Sequence, residues 1–320
     1  MTIFDEARGY SGRVLTTKED RGPLTKYLAR WGLVFISPWL IGFLIFTLIP
    51  MVLSFLMTFT NFNPTQPDQI EFIGLNNYRK LFTDADLRAA IAATTKFFIL
   101  AIPLAIIQPI IMASMLNAGA LRGKRFMTTL FYMTYMVPIV SAILIWQGML
   151  NAETGWINRT LGVFGINGPD WLNSTTWVYP ALILIGIWGV GNAMLFTLIG
   201  MQGVPTELYE AARVDGAGYL RQSWNITLPL VTPIIFYNLV LAVIGLMQYF
   251  TVPYIVSRGT GQPGNATLFY NIHFYRTAFR FQDMGYGATL AWLLFAAAML
   301  ITIFIFWSAK YWVYSPGGRD

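Results

Sequence analysis

The 320-residue chain contains no cysteine, which excludes disulfides and thiolate metal sites. It has a single histidine, His273, too little for a histidine-built metal centre. No Walker A pattern occurs, so the chain is not expected to hydrolyse ATP itself. Charge is also scarce. Asp, Glu, Lys and Arg make up 11% of residues, against about 25% in soluble domains. The scarcity is uneven: six long apolar runs hold no charged residue at all. Ion-coupled transporters usually keep Asp, Glu or Lys at membrane depth, so their absence disfavours a secondary transporter. A membrane-embedded enzyme would need His, Asp, Glu or Ser clustered near one membrane face, and no such cluster is visible.

What is abundant is apolar surface, with 56% of residues hydrophobic. The uncharged runs are Trp31–Thr60, Phe97–Leu121, Phe126–Ala152, Trp177–Gly200, Leu230–Ser257 and Met284–Ala309. Each exceeds the roughly 20 residues that cross a hydrocarbon core. The expectation is an all-α integral membrane protein of six transmembrane helices. Residues 1–30 are polar, with six Lys/Arg and four Asp/Glu. They do not resemble a signal peptide, because the first apolar run is long and no small-residue cleavage site follows it. This gives three parts: a cytoplasmic tail over 1–30 with a surface helix near Leu24–Arg30, a six-helix transmembrane domain over 31–309, and a cytoplasmic tail over 310–320. With the N-terminus inside, inside segments hold thirteen Lys/Arg and outside segments eight. That bias favours both termini in the cytoplasm. The net charge of +6 therefore needs no nucleic-acid partner.

One polar stretch interrupts the apolar pattern. Glu210-Ala-Ala-Arg-Val-Asp-Gly216 is followed, after nine residues, by Ile226-Thr-Leu-Pro229. Pro205 and Thr206 read as a helix start, with Thr206 able to cap and Glu207 adding negative charge to the first turn. Leu208, Ala211, Ala212 and Val214 form a small apolar face, and Gly216 reads as the stop. A second short helix is expected from about Ala217 to Asn225, ending before Pro229. Helices this short are marginal alone in water, so a partner surface is the natural support.

The spacing Glu-Ala-Ala, three residues, Gly, nine residues, Ile-x-Leu-Pro is matched in full by Glu210, Ala211, Ala212, Gly216, Ile226, Leu228 and Pro229. It resembles the signature loop of membrane-spanning permease subunits of bacterial ATP-binding-cassette importers. Gly203-Val-Pro-Thr-Glu-Leu-Tyr and Asp215-Gly-Ala-Gly resemble the sugar-permease branch, with its maltose-type and glycerol-3-phosphate-type members. Phe72-Ile-Gly-Leu-Asn-Asn-Tyr, Gly155-Trp-Ile-Asn, Trp171-Leu-Asn, Ala266-Thr and Gly285-Tyr-Gly-Ala extend the resemblance over residues 31–309. The resemblance implies a second permease chain forming a heterodimer, two ATPase subunits carrying ATP and Mg, and an extracytoplasmic solute-binding protein. No cofactor, metal or catalytic residue is expected in this chain. Glu207, Glu210, Ala211, Ala212, Asp215 and Gly216 would then form the coupling helix that meets the ATPase.

Several polar and aromatic side chains lie inside the runs, among them Tyr132, Tyr135, Gln147, Tyr237 and Asn238. One reading is hydrogen bonding between helices and interfacial aromatics. The other is a sugar passage, because hydroxyl-rich rings need amides and flat aromatic faces without fixed charge. The candidates for the passage are Trp188 and Asn192, four apart and so on one helix face, and Gln248 and Tyr249 beside Gly245. A glycerol-3-phosphate importer is the alternative. It would call for Arg or Lys at the phosphate, and Arg258, Arg276 and Arg280 near the outer mouth keep it open. Gly259-x-Gly261-x-x-Gly264 fits a dinucleotide fingerprint only in spacing, since no strand precedes it, and reads as a turn. His273, alone among aromatics, reads as a packed core residue.

Overall fold

The computed structural model describes residues 23–119 and 121–315. Of the expected tails over 1–30 and 310–320, residues 1–22 and 316–320 lie outside the described residues, and the last helix continues to Trp312. The chain divides into two compact units, at Ser54 and Phe55.

In the first unit, α1 (Pro23–Phe43) leads through one π turn (Leu44–Leu48) into α2 (Ile49–Met57), whose last three residues belong to the second unit. The surface helix expected near Leu24–Arg30 is not separate: α1 starts at Pro23 and runs on into the apolar residues. Proline suits that first position, where its missing N–H costs no helical bond. In the π turn the Ile49 N–H reaches back five residues to the Leu44 carbonyl, directly before Pro50. Proline cannot donate and crowds the carbonyl four residues back, and the wider turn absorbs both demands.

The second unit begins with a turn closed by an isolated antiparallel bridge between Thr60 and Phe72. Buried Asn77, on α3 (Asn76–Thr83), donates to the Thr58 and Thr60 carbonyls, each at 2.9 Å. Next, α4 (Ala85–Asn117) starts twelve residues earlier than its apolar run. Asp84 is the reason. Its carboxylate accepts the Leu87 N–H at 3.0 Å, and this N-cap carries the helix through Asp86, Arg88 and Lys96. Among the described residues there is no β-sheet.

Two expected spans are not single helices. The third run is split into α5 (Lys124–Tyr135) and α6 (Ile139–Met149), which meet at 95°. Pro138 sits in the break and pushes Val137 out of helical geometry. The short α7 (Trp156–Val163) follows. The fourth run is split into α8 (Val178–Trp188) and α9 (Gly191–Gln202), bent by 54° at Gly189–Val190. The described residues thus contain four helical stretches long and apolar enough to cross a membrane: Arg30–Met57, Ala85–Asn117, Tyr219–Ser257 and Met284–Trp312. The two bent pairs bring the total to as many as six.

The polar stretch forms α10 (Thr206–Val214) and the single turn α11 (Tyr219–Gln222). The second helix does not end before Pro229. A π turn (Ser223–Thr227) carries it into α12 (Leu228–Met247), with Pro229 inside the joined helix. This repeats the device before Pro50: the Leu228 N–H reaches back to Ser223, and proline comes next. A break at Gln248–Phe250 separates α12 from α13 (Thr251–Ser257). In the loop after α13, Gly259, Gly261 and Gly264 all have positive φ, as a turn requires. The unit ends with α14 (Tyr270–Tyr275), a π turn (Arg276–Arg280) and α15 (Met284–Trp312).

The two larger of four apolar clusters among the described residues hold most of this unit together. One gathers Phe97, Ile143, Leu182, Ile185, Val252 and Phe269, joining α4, α6, α8 and α13. The other gathers Ala113, Leu116, Met194, Leu198, Met201 and Val231, joining α4, α9 and α12 next to α10.

Candidate functional site: a cavity at the helix breaks and the Glu210 loop

Two helix breaks border one cavity. It has a volume of about 430 Å³, with Gly189 and Val190 from the α8–α9 break and Tyr249 from the α12–α13 break in its wall. Tyr135, the last residue of α5, reaches it from the third bend. Helix breaks release backbone carbonyls, which in a membrane must find donors within the protein. They do. Gln108 Nε2 donates to the Ile187 carbonyl at 3.0 Å, and Thr134 Oγ1 donates to the Trp188 carbonyl at 2.8 Å. Asn271 Nδ2 donates to the Met247 carbonyl at 3.3 Å. Glycine permits a close crossing here, since a Cβ at Gly191 would meet the Phe131 carbonyl at 2.7 Å.

The cavity wall combines amides with ring faces. Gln108, Asn192 and Asn238 supply the amides, while Phe97, Tyr135 and Tyr249 supply rings. No Asp, Glu, Lys, Arg or His lines it. Asn238 is buried and already engaged, donating to Thr197 Oγ1 at 3.1 Å and to the Ala193 carbonyl at 3.4 Å. The ring of Tyr249 stacks on Phe97 with centroids 4.7 Å apart. Its hydroxyl is buried and has no hydrogen-bond partner among the described residues.

The four residues expected in a passage part company. Asn192 and Tyr249 line this cavity. Trp188 does not. It ends α8 while Asn192 lies on α9, so the bend cancels the shared helix face that their spacing implies. The Trp188 ring meets Trp146 edge-on at 6.5 Å, and its contribution near the cavity is its carbonyl. Gln248 faces a different hollow, of about 370 Å³, with Phe250, Asn271 and Tyr275. Neighbouring residues point opposite ways because the helix is broken at that position. Gln108, Thr134, Asn271 and Phe97 are residues that sequence reasoning did not single out. For Gln108 there was a signal: it is the one amide in the middle of the run Phe97–Leu121.

The Glu210 loop stands out from the helices. Thr206 is the first helical residue and not the cap; Pro205 holds the cap position without a side-chain bond. The end of α10 is a glycine turn. Gly216 has φ +75°, the Ala217 N–H reaches the Ala212 carbonyl at 2.8 Å, and the Gly216 N–H reaches Arg213 at 3.0 Å. That double bond pattern is the Schellman motif. Tyr209 fastens the inner side of α10, its hydroxyl 2.8 Å from Thr227 Oγ1. Tyr219 does the same for α11, donating to the Ser114 carbonyl at 3.2 Å. The outer side is free. Glu207, Glu210, Ala211 and Asp215 are exposed, Ala212 is half-buried, and Val214 is 88% exposed. Among the described residues, neither Glu207 nor Glu210 is in an ion pair.

Residues 110–313 match the model of the family described as binding-protein-dependent transport system inner membrane component. The chain belongs to that family. It is therefore an inner-membrane permease of the ATP-binding-cassette type, a transport component and not an enzyme. It is 36% identical over 287 residues to the probable ABC transporter permease protein YesP of Bacillus subtilis (strain 168), covering 88% of this chain and 91% of that one. It is 27% identical to the lactose transport system permease protein LacF of Rhizobium radiobacter, covering 91% and 97%. Its fold matches a chain of a bacterial alginate ABC transporter crystallised with an alginate pentasaccharide-bound periplasmic protein. That match has a TM-score of 0.77 at 23% identity, and covers 89% of this chain and 96% of the other.

The permease keeps its buried ionisable cluster away from the cavity. His273 Nε2 lies 3.0 Å from Asp84 Oδ2, which also accepts the Tyr286 hydroxyl at 2.8 Å. Lys80 pairs with Asp283, the cap of α15, at 2.7 Å, so each of two helix-capping carboxylates also ties down another element. Burial alone would raise the Asp84 pKa, but the Leu87 N–H, the Tyr286 hydroxyl and His273 outweigh it and hold the carboxyl below its usual range. Burial lowers the His273 pKa, and the attraction of Asp84 does not fully offset it. The reading of His273 as a packed residue agrees with this placement.

Proposed function

We propose that the chain is one transmembrane permease subunit of an ATP-driven, binding-protein-dependent importer of a carbohydrate. The observation that carries this reading is the charge-free cavity at the helix breaks, walled by amides and aromatic rings. Sugar rings present hydroxyls to amides and C–H faces to aromatic rings, and they bring no charge that needs neutralising. The buried Tyr249 hydroxyl has no partner among the described residues, and a solute hydroxyl that displaced its neighbours would satisfy it. One of the similar proteins is named for a neutral carbohydrate, lactose. A glycerol-3-phosphate cargo is disfavoured, because a phosphate would find no Arg or Lys in the cavity wall.

In this reading the chain crosses the bacterial cytoplasmic membrane six times, each bent pair counting as one pass, with both termini in the cytoplasm. Residues 31–309 form the permease domain. A second permease chain completes a heterodimer, and two ATPase subunits below carry the ATP and Mg. Glu207, Glu210, Ala211, Ala212, Asp215 and Gly216 form the coupling element. Support comes from the exposure of α10, its unpaired carboxylates and its Schellman end. Asn192 and Tyr249 contact the solute, while Trp188 and Gln248 act from outside the cavity. The test is uptake by the assembled complex in vesicles. Uptake of a carbohydrate that requires ATP and the binding protein is expected. Uptake driven by a proton gradient without ATP would overturn the reading.

A further inference from the structure

The bend between α8 and α9 is held from outside, by two side chains on other helices. Gln108 on α4 takes the Ile187 carbonyl, and Thr134 on α5 takes the Trp188 carbonyl. These are the last two carbonyls of α8, and Gly189 and Val190, which follow, form part of the cavity wall. A carbonyl left without a donor at this depth is costly, so removing either donor acts on the bend itself. Thr134 adds a second property. Its oxygen lies 2.8 Å from the Trp188 carbonyl and 2.7 Å from the Phe131 carbonyl of its own helix. A hydroxyl has one proton, so it can serve only one of the two at a time. When it serves Phe131, the Trp188 carbonyl is released. The helix on the far side of the bend, α9, leads through Gly203 and Val204 directly into the exposed α10. Gly191 at its start touches the α5 backbone beside Phe131, so α9 and α5 meet at the switch.

We infer that Thr134 and Gln108 are positioning residues for transport. They hold the α8–α9 bend that faces Asn192 into the cavity, and the choice of the Thr134 proton between two carbonyls lets that bend follow α10. This rests on the proposed importer function. Neither residue needs to touch the solute for this role, and Thr134 does not line the cavity.

Two measurements test it. In the reconstituted complex, the readout is carbohydrate imported per ATP hydrolysed. Thr134→Val keeps the side-chain shape and removes the proton, and is expected to lower that ratio at least fivefold. Thr134→Ser restores it, and Gln108→Met lowers it in the same way. A merely structural role would reduce the amount of assembled complex and leave the ratio unchanged, which would overturn the inference, as would Ser performing no better than Val. The second measurement needs no solute. The chain lacks cysteine, so Trp177→Cys and Gln202→Cys allow spin labels at the two ends of the bent pair. Thr134→Val is expected to shift the distance longer as the bend relaxes, while Thr134→Ser keeps the original distance. Identical distributions in all three chains would overturn the inference, even if the cargo proved not to be a carbohydrate.

Discussion

Tyr249 carries a buried hydroxyl with no hydrogen-bond partner among the described residues, although its ring is held against Phe97. An unsatisfied buried hydroxyl costs about 1–3 kcal/mol. Tyr249→Phe should therefore stabilise the permease, raising its thermal midpoint in detergent, while weakening solute uptake. A variant both less stable and fully active would show that the hydroxyl serves the fold and not the solute. At Glu210 the expected pattern is the reverse. The side chain is exposed and unpaired, so Glu210→Lys should leave assembly of the spans unchanged within about 0.5 kcal/mol. It should still cripple solute-stimulated ATP hydrolysis. An acidic substitution on the ATPase surface facing position 210 should restore part of the loss. Failure of every such substitution, together with no crosslink from position 210 to the ATPase, would remove Glu210 from the coupling contact.

At the scale of elements, α10 depends on how it ends. Gly216 sits at φ +75°, a conformation costing about 1–2 kcal/mol for residues with a Cβ and more for a branched one. Gly216→Val should break the Schellman bonds, displace α10 and lower coupled ATP hydrolysis, whereas Gly216→Asn should be milder. Equal activity of both would mean that the turn is not needed to aim the helix. The Asp84–His273 pair gives a pH dependence of definite sign. The His273 pKa is lowered by burial, so the unfolded chain takes up the proton first, and stability is lost as pH falls from about 6.5. Asp84, with its pKa held down, contributes stability above its unfolded value near 3.8 that is lost as pH falls through the lower folded value. Both act in the same direction. The thermal midpoint of the complex should drop between pH 7 and pH 5, and His273→Gln should flatten that drop. A midpoint rising with acid would contradict the assigned burial. Much of this level was legible in the sequence. The apolar runs marked the four long apolar helical stretches and both bent pairs, and Gly216 marked the end of α10. The bends were not legible, because Pro138 and Gly189 also occur in straight membrane helices. The bond that satisfies the broken end of α8, from Thr134 to the Trp188 carbonyl, joins residues far apart in sequence and leaves no periodic trace. The broken helix also separates Trp188 from Asn192 and Gln248 from Tyr249, so the cavity could only be half named from spacing.

For the whole molecule, the two halves of the account lie at different levels of one unit: a neutral cavity at the helix breaks and an exposed acidic helix at the end of α9. An ATPase pushing on α10 would reach the cavity through α9 and its bend. The topology this requires can be checked by labelling. Asn173→Cys should react only from outside, and a label reaching it only from the cytoplasm would invert the arrangement. The central claim is that the charge-free cavity holds the carbohydrate. Its most direct test is protection of Asn192→Cys, the single thiol in an otherwise cysteine-free chain, in the complex trapped with its binding protein. The account predicts that the transported neutral carbohydrate slows thiol modification at position 192 severalfold, while Tyr237→Cys, on an exposed surface outside the cavity lining, is modified at the same rate with or without solute. Equal modification at position 192 with and without carbohydrate, in a complex that still imports it, would contradict the account.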